Sequence, residues 1–257
     1  MFKTDNYKNK TVVITGGTKG IGLGITKAYL SLSAKVIILA RNKPKKQIQV
    51  KGNKALFYQC NVRDNPNVEE VINEVFKANK CIDVLINNAG GAPLINSLDA
   101  SMNFNNAIID LNLNSSFTVS YYVAKKMIKK SSGCVITNIS SVTATRPTPG
   151  SAAYGAAKGG LVNLTKTLAV EWAPRIRVNS IITGYIETEN SLVHYGSKKD
   201  MKAVAKTIPM KRMGTPEDIA NACIFLSSGN SSWITGTAIE VHGGGESPAY
   251  LNSAKPK

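Results

Sequence analysis

The sequence predicts an α/β fold, a doubly wound Rossmann-type parallel sheet with helices on both faces, in a single domain over residues 1–257. Short Val/Ile-rich runs recur along the chain, stretches of helical periodicity separate them, and several runs are continuously apolar rather than alternating. A strand covered on both faces needs no polar side, so continuous apolar runs mark a buried parallel sheet. Strand alternating with helix then implies right-handed crossovers. A chain of 257 residues can bury a sizeable core in one such unit.

The first strand is expected at Thr11–Thr15, where VVIT runs into a glycine-rich turn, followed by an amphipathic helix over Ile21–Ser31. Lys35–Ala40, containing VIIL, is the second strand and Ala55–Cys60 the third. A helix over Val68–Ala78 leads to the VLIN strand, Val84–Asn87. One long helix is expected over Met102–Lys130, then a strand over Gly133–Ile139 and a helix over Ala152–Trp172. Arg177–Ile182 is the next strand, and a pair of short helical segments falls within Glu187–Lys206. Pro216–Ser227 reads as a helix and Thr237–Val241 as the last strand. Residues 187–212 form the expected lid, and residues 246–257 a weakly structured tail.

Composition excludes several classes. The 43% hydrophobic and 19% charged fractions suit a soluble globular protein. No apolar run approaches the roughly 18 residues needed to span a bilayer, so no membrane association is expected. The polar, lysine-rich start (Met1 to Lys10) predicts no secretory signal. The four cysteines, Cys60, Cys81, Cys134 and Cys223, are far apart, with no CxxC pair and no histidine at ligand spacing. Neither a metal site nor a disulfide framework is expected, and a reducing cytoplasm is the simplest setting. The net charge of +16 suits an anionic partner, but no zinc finger and no basic region leading into heptads is present, so nucleic acid is not expected.

The turn Thr15-Gly16-Gly17-Thr18-Lys19-Gly20-Ile21-Gly22 carries the first functional signal. In a doubly wound sheet the first strand-to-helix turn is where a dinucleotide's diphosphate sits, because glycines admit close backbone approach and the helix start offers free N–H groups. The charge around it indicates which dinucleotide. NAD sites use an acid near the end of the second strand to hold the ribose hydroxyls. Here that strand ends Ala40-Arg41-Asn42-Lys43, and Lys19 sits in the turn itself. A guanidinium can grip a 2′-phosphate in a fork, so Arg41 and Lys19 favour NADP(H) over NAD(H).

Tyr154 and Lys158 are four residues apart at the head of a helix and so share one face. A free phenol titrates near ~10, and bringing it within reach of pH 7 takes roughly 4 kcal/mol. A neighbouring ammonium in a partly dry site works in that direction. Ser141 lies thirteen residues before Tyr154 at the end of a buried strand, where ligands gather in open parallel sheets, and its hydroxyl suits a developing oxyanion. Adjacent Ser140 competes for that role. His194 and His242 are further acid/base candidates, made superfluous by the phenol.

Together these residues resemble the short-chain dehydrogenase/reductase family, from about Lys10 to Gly245. The matching motifs are TGGTKGIG (Thr15–Gly22), NNAG (Asn87–Gly90), Asn112-Leu113, the Ser141–Tyr154–Lys158 set and a strand-end loop ending in Thr188. The resemblance implies a catalytic tetrad of Asn112, Ser141, Tyr154 and Lys158. Tyr154 would be the acid/base, Ser141 would polarise the carbonyl, Lys158 would lower the phenol's pKa and bind the nicotinamide ribose, and Asn112 would hold a relay water. It also implies cofactor contacts from Gly16, Thr18, Lys19, Gly20, Ile21, Gly22, Arg41, Asn61, Val62, Asn88, Ala89, Gly90, Tyr154, Lys158, Gly184, Ile186 and Thr188. Two departures stand out: Thr183-Gly184 replaces the usual Pro-Gly, and Asn61 replaces a frequent Asp at the adenine position.

Within the family the overall run resembles the 3-oxoacyl reductases, while Val193–Gly196 and Glu240–Glu246 look more like a subgroup near steroid-degradation enzymes. The expected substrate is a small ketone/alcohol pair. An acyl thioester of coenzyme A or of acyl carrier protein suits the basic lid, with Lys198, Lys199, Lys202, Lys206, Lys211 and Arg212 around Leu192, Tyr195 and Met201. The resemblance also implies a homotetramer, with the Met102–Lys130 and Ala152–Trp172 helices as interfaces. A non-catalytic NADP-binding sensor or assembly protein is the competing reading. The intact Tyr154/Lys158 pair argues against it, since a sensor needs no activated phenol.

Overall fold

The computed structural model describes residues 7–129, 133–246 and 248. Seven of its strands form one parallel sheet: β1 (Thr11–Thr15), β2 (Lys35–Ala40), β5 (Leu56–Gln59), β6 (Val84–Asn87), β7 (Cys134–Ser141), β8 (Ile176–Thr183) and β9 (Ala238–Val241). Their order across the sheet is β5-β2-β1-β6-β7-β8-β9, so the chain reverses direction of travel between β1 and β6. A ligand cleft is expected above that reversal, at the carboxyl ends of the strands. A small antiparallel hairpin, β3 (Gln49–Val50) with β4 (Asn53–Lys54), lies outside the sheet. It turns through Lys51 and Gly52, both at positive φ.

The continuous apolar runs have the predicted cause, since every residue of β1, β6 and β7 is buried. Alternate side chains feed two separate cores. Val13, Ile37, Leu85, Ile136 and Val178 point to one face, against α2 (Asn65–Asn79), α4 (Ser115–Met127) and α5 (Ala152–Trp172). Val12, Ile14, Val36, Ile86 and Ile181 point to the other, against α1 (Gly20–Ser31) and α8 (Pro216–Ser227). Cys60, Cys134 and Cys223 are buried in these cores outside any disulfide, and burial pushes the Cys60 thiol up to about 11, with Asp64 adding to it.

Helix α2 begins three residues before the predicted Val68. Asp64 caps it by accepting the Asn67 amide at 3.2 Å, and a proline sits in its first turn. The long helix expected over Met102–Lys130 is instead broken into α3 (Met102–Ile109), a π-helical stretch (Asp110–Asn114) and α4, which ends at Met127. Lys130 lies outside the described residues, as do Ser247 and residues 249–257 of the expected tail. The two short lid segments are α6 (Ser191–Tyr195) and α7 (Lys198–Thr207), the latter started by a Ser197/Asp200 capping box. Among the described residues no helix is long and apolar enough to cross a membrane.

Candidate active site

The carboxyl ends of β1, β6, β7 and β8 open onto a groove of about 840 Å³. Its floor is the glycine turn between β1 and α1. A side chain at Gly22 would run into the Gly16 carbonyl oxygen and the Asn88 amide, so this close approach excludes any Cβ. Asn88 fastens the floor from the neighbouring strand, donating through Nδ2 to the Thr15 and Gly16 carbonyls at 3.0 and 3.3 Å. The Thr15 hydroxyl accepts the Asn88 and Ala89 amides at 2.9 and 3.0 Å.

Helix α1 starts without a side-chain cap and without an acid in its first turn. Its leading amide, Gly20 N–H, donates to both carboxylate oxygens of Glu189, at 2.9 and 3.1 Å. Glu189 arrives from the start of the lid, beside Thr188, whose methyl lies 3.4 Å from where a Gly20 Cβ would stand. An anion therefore occupies the helix start, as the partial positive charge there favours. Sequence reasoning missed Glu189, because nothing in its neighbourhood along the chain marks it as a partner of Gly20.

Of the predicted cofactor residues, Gly16, Thr18, Lys19, Gly20, Ile21, Gly22, Arg41, Asn61, Val62, Asn88, Ala89, Gly90, Tyr154, Lys158 and Thr188 line the groove. Lys43, Lys45, Arg63 and His194 line it too, although none of them was among the expected cofactor contacts. Gly184 and Ile186 stand behind the wall. Gly184 packs against His242, and the buried Ile186 bridges to Gly214. Asn61 already accepts the Arg63 amide at 3.3 Å through its side-chain oxygen, in a turn of its own. Thr183 donates its hydroxyl to the Ser140 carbonyl at 2.9 Å, tying the end of β8 to the end of β7. His242 pairs with Glu240 at 2.8 Å.

Tyr154 and Lys158 line one end of the groove, with Ser141 and Asn112 set close behind them. Lys158 is buried on α5, where Nζ donates to the Ile139 carbonyl at 2.8 Å and lies 5.6 Å from the centre of the Tyr154 ring. Burial pulls its ammonium down to about 8. The Tyr154 phenol is held above its ordinary value by burial, and a hydrogen bond with the Ser141 hydroxyl offsets part of that rise. The expected acidification of the phenol is therefore not built into the protein alone. Of the two serines, Ser140 donates its hydroxyl to the Lys158 carbonyl at 3.1 Å, while Ser141 is the one that reaches Tyr154.

Asn112 is buried in the π-helical stretch. Its Nδ2 donates to the carbonyls of Gly91 and Ile108 at 3.0 and 2.9 Å, and its Oδ1 accepts the Gly91 amide at 2.8 Å. A Cβ on Gly90 would stand 2.6 Å from that Oδ1 and 3.2 Å from Lys158 Nζ, so glycine there lets Asn112 and Lys158 approach one another. π-helical turns inside helices recur at functional sites.

The floor and its basic rim fit a phosphate-bearing dinucleotide: a helix-start amide already holding a carboxylate, a glycine at 22 that admits no Cβ, and cations from Lys19, Arg41, Lys43, Lys45 and Arg63.

Known proteins bear on the same residues. A family model described as enoyl-(acyl carrier protein) reductase matches residues 16–246. The chain is 36% identical over 242 residues to the 3-oxoacyl-(acyl-carrier-protein) reductase FabG of Chlamydia pneumoniae, covering 91% of this chain and 96% of that one. It is 35% identical over 245 residues to a probable 2,4-dienoyl-CoA reductase of Bacillus subtilis, covering 92% and 96%. Among solved structures, the ligand-free aldohexose dehydrogenase of Thermoplasma acidophilum superposes with a TM-score of 0.86 at 32% identity, over 98% of this chain and 97% of that one. A short chain dehydrogenase of Bacillus anthracis gives 0.84 at 34% identity, over 95% and 99%.

Proposed function

Because the chain belongs to the short-chain dehydrogenase/reductase family of oxidoreductases, which act on alcohol and ketone groups, we propose that it is an NADP(H)-dependent enzyme interconverting a ketone and a secondary alcohol. The observation that carries this reading is the pairing of Tyr154 and Lys158 at one end of a glycine-floored, cation-rimmed groove, with Ser141 behind Tyr154. The diphosphate belongs on Gly16, Thr18, Lys19, Gly20, Ile21 and Gly22, and the 2′-phosphate beside Arg41 and Lys19. The adenine belongs near Asn61 and Val62. Asn88, Ala89 and Gly90 form the middle of the groove, and Tyr154, Lys158 and Thr188 its nicotinamide end, with Gly184 and Ile186 shaping the loop behind.

Bound NADP(H) supplies or accepts the hydride; the chain's own groups handle the proton. Tyr154 stands protonated at neutral pH, since burial holds its phenol up, and so it is set to give its proton to a ketone oxygen. Ser141 donates to the same oxygen as charge develops there. Lys158, its Nζ 5.6 Å from the centre of the Tyr154 ring, favours by its charge the phenolate left behind as the proton departs. Both side-chain N–H groups of Asn112 are engaged, so a relay water must bind one of its carbonyl oxygens. The lid (187–212) covers the substrate, and its lysines suit the acidic carrier of a 3-oxoacyl thioester, the substrate class named in the Chlamydia relative. Exposed Phe117 and Tyr121 on α4 and Val170 on α5 suit the faces of a homotetramer.

Oxidation of NADPH against acetoacetyl thioesters, steroid ketones and small diketones tests the reading. No turnover of any ketone, with NADPH bound, would favour a sensor or assembly role. Replacing both Arg41 and Lys19 by alanine is expected to weaken NADPH at least about thirtyfold more than NADH, in titrations of each cofactor's fluorescence. Equal losses would remove the case for phosphate recognition. Glu189→Gln is expected to tighten NADPH about three- to tenfold, because the diphosphate must displace the carboxylate from Gly20 N–H. Unchanged affinity would show that Glu189 leaves at no cost.

A further inference from the structure

Beside Tyr154 lies a second, much smaller hollow that the reductase reading leaves unused. Tyr154 lines both the hollow and the groove, and Gly91 at the end of the groove is followed directly by Ala92 in the hollow. Its other walls include Ile95, Ala100, Phe104, Ile108 and Ala153, from the loop after β6, from α3 and from the first turn of α5. Its volume is about 10 Å³, room for a group the size of one water or one methyl. Ser97, Asn105 and Ser151 also reach it, so it selects by size more than by polarity. The lid contributes no wall to it.

These walls are fastened, so widening the hollow is costly. Ile95 N–H donates to the Gly150 carbonyl at 3.0 Å, which clamps the loop after β6 to the loop before α5. Gly150 holds φ at +80°, and a Cβ there would stand 3.6 Å from both the Leu94 Cβ and the Ile95 nitrogen, so the two loops pack directly. Ser101 caps α3 by accepting the Phe104 amide at 3.1 Å, which sets Phe104 in its first turn. The carbonyl of buried Ile108 accepts Asn112 Nδ2 at 2.9 Å, and so this wall is tied to the residue that approaches Lys158 across Gly90.

A ketone held at Tyr154 carries two groups on its carbonyl carbon, and the hollow and the groove offer them very unequal room. The thioester arm of a 3-oxoacyl substrate needs many times the volume of the hollow. It has to leave through the groove, which the lid borders at Thr188, Asn190 and His194. The other group is then the one that meets Ile95 and Phe104. We propose that the hollow receives this second group and limits it to a methyl or little more, so that the enzyme reduces acetoacetyl thioesters ahead of longer 3-oxoacyl thioesters. This inference rests on the reductase reading and narrows its substrate class. Ile95 and Phe104 set the chain length; the lid does not.

The test measures kcat/KM with NADPH for the N-acetylcysteamine thioesters of 3-oxobutanoate, 3-oxohexanoate and 3-oxooctanoate, whose short neutral handle keeps the lid lysines out of the comparison. Wild type is expected to favour the first over the second by at least about tenfold, because each methylene without room costs about that much. Phe104→Leu and Ile95→Ala widen the hollow from different sides. Each is expected to raise the 3-oxohexanoyl-over-3-oxobutanoyl ratio by about tenfold, with NADPH affinity unmoved in fluorescence titrations. Ala100→Leu narrows it from a third side and is expected to lower kcat/KM for the 3-oxobutanoyl thioester by about tenfold, again with NADPH affinity unmoved. A packing gap that no substrate enters would leave the chain-length ratio the same in wild type and in both widened variants; that result overturns the proposal, as does a wild type that reduces the longest thioester as readily as the shortest. Turnover of no ketone, with NADPH bound, would sink the reductase reading, whereas turnover with a flat chain-length profile would sink this proposal alone.

Discussion

Tyr154→Phe is expected to cut NADPH-dependent ketone reduction by roughly a thousandfold while leaving NADPH affinity within about twofold. The ring stays, so the wall of the groove stays with it. What is lost is the one hydroxyl that Ser141 holds by hydrogen bond at the end of β7. Single-turnover rates with saturating NADPH, alongside fluorescence titration of the cofactor, separate the two effects. Substantial residual turnover would assign the proton to another group. A parallel loss of NADPH binding would mean that the hydroxyl serves the cofactor rather than the ketone.

Lys158→Met is expected to abolish turnover and, at pH 7, to make the protein more stable. The buried amine titrates near 8 in the folded protein, against an ordinary value of 10.5. Between those values the unfolded chain holds a proton that the folded protein has released, so stability rises with pH across the window. Below about pH 8 the folded state carries the full cost of charging a buried amine, roughly 3 kcal/mol. Methionine removes that cost but leaves the Ile139 carbonyl without its donor, which gives back roughly 1–2 kcal/mol. A net gain of about 1–2 kcal/mol should raise Tm at pH 7 by several degrees. The advantage should shrink above pH 8, vanish at about pH 9, and turn into a deficit of about 1–2 kcal/mol by pH 10.5, where only the lost hydrogen bond remains. A variant less stable than wild type at pH 7 would show that the amine's hydrogen bond outweighs its desolvation. Stability given up at a reacting group is a recurrent pattern in enzymes.

Much of this fold was legible because a buried parallel strand leaves little freedom in composition. VVIT, VIIL and VLIN become β1, β2 and β6, with every core position where the runs put it. Helices α5 and α8 have the expected bounds, the latter because Thr215, Pro216 and Asp218 form a readable start. The break in Met102–Lys130 was not legible: a π-helical stretch keeps the same residue types as the helix around it, and only the hydrogen-bond register changes. The β3–β4 hairpin carried a faint signal in Lys51-Gly52, a two-residue turn with both φ positive, but strands of two residues leave no alternation to read. Within the site, spacing along one helix found Tyr154 and Lys158. Glu189 escaped because its partner, Gly20, lies far along the chain. Such pairs are fixed by tertiary placement and leave no local mark.

The surplus residue in Asp110–Asn114 also decides how the chain can vary. Each position along a helix turns by roughly 100° about its axis. A π turn absorbs its surplus residue by widening, so deleting one residue of that stretch would restore ordinary winding with the residues beyond it still on their present faces. Val119, Val123 and Met127 would keep the hydrophobic interior, while Asn112 would lose the widened turn that sets it against Gly91. The extra residue therefore serves Asn112 rather than the packing of α4, and shortening this segment should cost the site more than the fold.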